Sequence, residues 1–96
     1  MSRTNDKTLK EAMEQMLKVY RLKNKYDETF AISSWEEVVG KAVANRTKEI
    51  FIRDKKLYLR IESSVVKNEL KMMRQQIMHN LNEKAGAEVV LEMIFL

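Results

Sequence analysis

Residues 35–82 read WEEVVGKAVANRTKEIFIRDKKLYLRIESSVVKNELKMMRQQIMHNLN, and the changing hydrophobic period within them decides the fold. Trp35, Val38, Val39, Ala42 and Val43 recur at helical steps up to about Arg46. From Glu49 to Arg53 and from Leu57 to Ser63 apolar residues alternate with polar ones, as in half-buried strands. Val66, Leu70, Met73, Ile77 and Leu81 then return to steps of three and four, which predicts one long helix from Ser64 to about Lys84. Helix, hairpin and helix in that order define an α+β core.

Capping chemistry and turns sharpen this reading. Ser34 with Glu37 has the spacing of a capping box that opens the first of those helices. Gly40, inside it, costs roughly 1 kcal/mol against alanine, and a close backbone approach is the expected reason rather than positive φ. Asp54, Lys55 and Lys56 supply the hairpin turn. Without glycine, a two-residue turn must hold Asp or Lys at positive φ. Ile50, Ile52, Leu57, Leu59 and Ile61 form the expected inner face, and Phe51, Arg53, Tyr58 and Arg60 the outer one.

Working outward, Thr8 with Glu11 suggests another capping box, starting a helix whose apolar stripe is Leu9, Met13, Met16, Leu17 and Tyr20. That stripe needs cover from the domain or from a second copy. Residues 22–33 carry anchors at Leu22, Tyr26, Phe30 and Ile32, on a short helical turn at most. Gly86 is placed to end the long helix in a left-handed conformation. Val89, Leu91, Met93 and Phe95 predict a last strand, parallel to one hairpin strand after a right-handed crossover. The expected order is α-α-β-β-α-β, with a three-stranded mixed sheet and helices on one face. The 96 residues suit a single domain, 1–96, with residues 1–7 as a disordered tail.

Composition narrows the chemistry. There is no cysteine, so disulfides, thiolate zinc sites and thiol nucleophiles are excluded. The 18 Lys and Arg against 14 Asp and Glu leave a net charge of +4, a mild bias toward anionic partners. No apolar run approaches the roughly 20 residues that cross a bilayer, and the start of the chain lacks a secretion signal. A cytoplasmic protein without membrane association is therefore expected. No Ser-His-Asp set, phosphate-binding glycine loop or metal-ligand spacing appears, so no enzyme, cofactor or metal is expected. His79, with Glu83 four residues on, reads as a surface histidine. The seven methionines read mostly as core filler, with Met72 and Met78 off the main stripe.

Trp35, Val39, Gly40 and Thr47, then Leu57-x-Leu59-x-Ile61-x-Ser63-Ser64, Glu69-Leu70 and Leu81-Asn82, form an ordered set that resembles the DciA family over roughly residues 9–95. The resemblance implies a KH-like fold of type II and a role in bacterial DNA replication. It implies binding to DNA and to the DnaB-type replicative helicase, promoting helicase loading. Many relatives carry sequence beyond this domain, and activity housed there is expected to be absent here or supplied otherwise. Some relatives carry a zinc ribbon, which a cysteine-free chain cannot form. The GXXG loop with which KH domains clamp nucleotides is missing, since the two glycines are Gly40 and Gly86.

The residues themselves nominate a nucleic-acid surface. Arg53, Lys55 and Lys56 cluster at the hairpin tip, Arg60 accompanies Arg53 on the outer sheet face, and Lys67, Lys71 and Arg74 repeat along the long helix. Lys41, Arg46 and Lys48 add charge nearby. Such groups contribute salt-dependent increments when they reach phosphates in register. Phe51 and Tyr58 could stack unpaired bases, although burial under another helix or subunit is the favoured reading. The partners weighed are single- or double-stranded DNA, the helicase, RNA for an RNA-binding module, another protein for a simple adaptor, and a second copy of the chain.

Overall fold

The computed structural model describes the backbone of residues 2–96 and the side chains of residues 8–96. The elements are α1 (Ser2–Ser33), α2 (Trp35–Val39), α3 (Lys41–Asn45), β1 (Thr47–Arg53), β2 (Lys56–Ile61), α4 (Ser64–Met72), α5 (Arg74–Ala85) and β3 (Glu92–Phe95). The sheet order is β1-β2-β3, with β1 antiparallel and β3 parallel to the central strand. This is the expected KH-like α+β arrangement, with each of two expected helices divided in two.

Alternation along the hairpin puts Leu57, Leu59 and Ile61 on the inner face, where all three are buried. Register sets Ile50 opposite Leu59 and Ile52 opposite Leu57, and Met93 and Phe95 complete the same face from β3. Ala31, Trp35, Leu70, Ile77, Met78, Leu81, Val89 and Val90 close the core against it. Asp54 and Lys55 form the turn with φ of 52° and 62°, the pair of left-handed residues that a two-residue hairpin matched to strand twist demands. Thr47 pairs with Ile61 and Glu49 with Arg60, so Lys48 is an extra residue that bulges β1.

Helix breaks account for most departures from expectation. Gly40 does not lie within a helix. Its φ of 92° and ψ of 161° end α2 and start α3, and nothing stands within 4 Å of where a Cβ would be. The reason for glycine is therefore conformational, and the close-approach reading is overturned. Ser34 precedes α2 without capping it, because its hydroxyl donates back to the Phe30 carbonyl at 3.0 Å. The long helix expected from Ser64 also divides, at Met73 (φ −102°, ψ 9°). Ser63, rather than Ser64, caps α4, its Oγ accepting from the Val66 N–H at 3.3 Å. Gly86 ends α5 in the left-handed conformation, as expected.

α1 departs in length. With neither proline nor glycine, residues 22–33 continue the first helix, supported by Lys23–Asp27 and Asn24–Glu28 pairs four residues apart. Thr8 lies inside it, so the expected capping box is not its start. The expectation of a tail over residues 1–7 rests on Met1 and on side chains outside the described residues; the backbone of α1 is helical from Ser2. About 48 Å of helix in one piece overhangs the domain, and the molecule measures 65 × 22 × 20 Å. The methionine reading also changes. Met13, Met16, Met72 and Met73 are exposed, whereas Met78 is buried in the core rather than marking a groove. The expected last strand is shorter, since Val89 and Val90 are buried in a loop and Leu91 is exposed.

Candidate nucleic-acid interface

The outer face of the sheet is built in cross-strand rows by the register. Arg53 stands beside Lys56 and Lys56 beside Glu92; Phe51 stands beside Tyr58 and Tyr58 beside Ile94; Glu49 stands beside Arg60. The half-buried middle row is thus apolar and its flanks are charged. Phe51 and Tyr58 stack on each other with centroids 4.9 Å apart and planes 11° from parallel, and the Arg53 guanidinium lies 5.9 Å over the Phe51 ring. The rings pack against each other across the strands, not beneath a helix as favoured from the sequence. Their mutual stacking and the Arg53 contact already occupy the π surface that a base would need.

Neutralisation of the nominated cations is uneven. Arg60 pairs with Glu49 at 3.2 Å, and the Lys55 ammonium donates to the Glu88 carbonyl at 2.8 Å, tying the hairpin turn to the loop before β3. Arg53, Lys56, Lys67, Lys71 and Arg74 have no acidic partner among the described residues. Lys71 instead lies 5.6 Å over the ring of Phe95, an inner-face residue of β3, so it sits on the helix side of the sheet. Arg74 begins α5 after the break at Met73, so the three helix cations span two segments rather than one.

The cations therefore gather in two groups rather than one tract. Arg53, Lys56 and Arg60 share the outer face, while Lys67, Lys71 and Arg74 lie on α4 and the start of α5. Glu92 is level with Lys56, and Phe95 lies three residues further along β3. The groups are thus offset by roughly 10 Å along the sheet and separated by its β3 edge. A polyanion reaching both would pass around that edge.

Of the other cations, Lys48 is engaged. Its ammonium lies 2.9 Å from Glu62, where their hydrogen bond and then their charges raise the lysine pKa and lower the carboxyl pKa. Arg46 donates to the Ala42 carbonyl. His79 is exposed and 2.7 Å from Glu83. No three His, Asp or Glu side chains converge as a metal site among the described residues. No helix of the described chain is long and apolar enough to cross a membrane.

Sequence reasoning missed the roles of three polar side chains that hold this framework. The Trp35 indole N–H donates to Thr47 Oγ1 at 3.0 Å, and that hydroxyl donates to the Val43 carbonyl at 2.9 Å, locking α2 and α3 to the start of β1. Asn82 Oδ1 accepts from both Val89 and Val90 N–H, and its Nδ2 donates to the Val90 carbonyl, each at 2.9 Å. Ser63 caps α4. Together with buried Leu57, Leu59, Ile61, Leu70 and Leu81, these are residues on which the family resemblance rests. The shared pattern thus specifies a framework and leaves the charged surface free to vary.

Comparison with known proteins agrees with that framework. The profile of the family described as "Dna[CI] antecedent, DciA" matches residues 8–95. The chain is also similar to a protein of Corynebacterium glutamicum (strain R) described as "UPF0232 protein", with 38% identity over 61 residues, 64% of this chain. The matched region spans only 34% of that protein's length. Since the profile runs from the body of α1 to the end of β3, the chain belongs to the DciA family.

Proposed function

We propose that this protein is a non-enzymatic accessory factor of DNA replication, one that binds DNA and the DnaB-type replicative helicase and promotes placement of the helicase ring on single strands. The observation that carries the proposal is the family match across residues 8–95. Family membership suggests a helicase-loader role, and the surface chemistry is compatible with the DNA half of it. Arg53 and Lys56 on the outer face, and Lys67, Lys71 and Arg74 on the helices, stand free of carboxylates and open to phosphates. Because the Phe51–Tyr58 rings stack on one another, the contact is to the backbone of the strand and depends on salt rather than on base identity.

Binding titrations at several salt concentrations test this, using single-stranded DNA, duplex DNA and RNA. Preference for DNA with a steep salt slope supports the proposal. Preference for RNA makes the chain an RNA-binding module, and no binding to either makes it a protein adaptor. Replacing Arg53, Lys55 and Lys56 together by Ala should flatten the single-strand slope by about 2, at roughly 0.7 per lost phosphate contact. An unchanged slope removes the hairpin from the site. Co-purification with the helicase, followed by an unwinding assay, tests the second partner.

A further inference from the structure

The overhanging half of α1 presents an apolar surface with no cover. Leu9, Met13, Met16, Leu17, Val19 and Tyr20 are each between 47% and 71% exposed, and they line two adjoining apolar grooves. At about 100° per residue, Leu9, Met13, Met16 and Tyr20 fall in the same sector as Asp27 and Ala31. Those two are buried against the domain. The exposed stripe is therefore the core-facing side of the helix, continued beyond the domain's edge.

Its spacing is symmetric. The steps from Leu9 to Met13, Met16 and Tyr20 are 4-3-4, which reads alike in both directions. A second α1 laid antiparallel about the point between Glu14 and Gln15 brings Leu9 opposite Tyr20 of the second copy. It also sets Met13 opposite Met16 and the small Ala12 opposite Leu17. The overlap runs from residue 8 to residue 21, about 21 Å. The second helix then starts, at its Ser2, level with Asp27, the first buried residue of α1. The overhang is thus as long as the pairing needs, and neither domain obstructs it.

The area is sufficient as well. Burying six such side chains removes roughly 400–700 Å² per copy, at roughly 60–120 Å² each. A pair buries about 800–1,400 Å², reaching the lower part of the range for specific interfaces. No charged side chain interrupts the stripe between Leu9 and Tyr20; Lys10, Glu14 and Arg21 border it, with their stems against its edge.

We propose that α1 pairs antiparallel with α1 of a second copy of this chain, forming a homodimer whose KH-like domains stand at opposite ends of the helix pair. Asp27 of one copy lies about 38 Å from that of the other along the axis. Each dimer therefore carries two copies of the outer sheet face, and a long partner can engage both with a gain in avidity.

Sedimentation equilibrium on the full chain tests the proposal, and a dimer dissociating in the micromolar range is expected. A chain monomeric throughout that range overturns it. The paired substitutions Met13→Glu and Met16→Glu should weaken dimerisation by roughly 100-fold or more, since they put four carboxylates into the seam. Both side chains are exposed in the single copy, so helix content and urea unfolding of the monomer should be unchanged. A dimer that survives the substitutions uses another surface and overturns the proposal. Because the chain has no cysteine, single Leu9→Cys and Tyr20→Cys variants report orientation. Antiparallel pairing gives a disulfide only when the two variants are mixed, as identical positions lie about 16 Å apart. A disulfide formed by either variant alone means parallel pairing and refutes the arrangement.

Discussion

Removing the side chain of Asn82 should cost this domain a large part of its stability. Its amide satisfies three backbone groups of the loop before β3: the N–H groups of Val89 and Val90 and the carbonyl of Val90. Both valines are 1% exposed, so Asn82→Ala leaves two donors and one acceptor away from water. Each such group costs about 1–3 kcal/mol when unpaired. Water entering the vacated space recovers part of this, which sets the expected loss at about 3–5 kcal/mol. A domain of this size has only about 5–14 kcal/mol in total. Urea unfolding followed by circular dichroism measures the loss directly, and the melting temperature should fall by roughly 15–30 °C. Amide exchange at Val89 and Val90 should accelerate in step. The control is Asn80→Ala, which loses only an exposed hydrogen bond with Gln76 and should cost about 0.5 kcal/mol or less. If Asn82→Ala loses less than about 1 kcal/mol, the loop is held by its buried valines alone and the clamp is not what positions β3.

Three further outcomes follow from the backbone and from one surface pair. Gly40→Ala should destabilise by about 1–3 kcal/mol in urea unfolding through backbone strain alone, as the space around it is open; an unchanged midpoint would show that α2 and α3 can fuse. Replacing Asp54-Lys55 by Asn-Gly should stabilise the hairpin by roughly 1 kcal/mol, read in the same assay, because both positions have positive φ. A loss would mean that the Lys55 bond to the Glu88 carbonyl outweighs the strain. Glu62 should titrate below the ordinary 4.5, since the Lys48 hydrogen bond and charge favour its carboxylate. The stability this contributes is present above 4.5 and is lost as the pH falls through the depressed folded value. A carboxyl titration by NMR in Lys48→Met should return Glu62 toward 4.5, and an unmoved midpoint would remove the pair from that account.

Local pattern and long-range contact divide the account of this chain. Alternation in β1 and β2 depends only on side chains pointing to opposite faces in turn, so the inner and outer residues of the hairpin were legible before any coordinates. The positive φ at the glycine-free turn and the left-handed end at Gly86 were legible too, being consequences of chain geometry over two or three residues. Periodicity alone hides helix breaks, because a helix interrupted at Gly40 or Met73 resumes nearly in phase. The Met78 side chain illustrates the same blindness: its position relative to Leu70 changes once α5 takes its own axis, and it becomes core.

Charge was the least legible property. Arg53, Lys55, Lys56, Arg60, Lys67, Lys71 and Arg74 could be named as cations from composition and spacing. Whether each met a carboxylate, a carbonyl, a ring or nothing depended on segments far apart in sequence, as with Arg60 and Glu49 or Lys55 and Glu88. The amino-acid order by itself determined the strand faces, the family and the framework, because these rest on short-range periodicity and on residue types that only a core or a cap accepts. Tertiary structure alone decided that the cations divide around the β3 edge and that α1 projects its apolar side beyond the domain, because those outcomes depend on how whole elements are placed against one another.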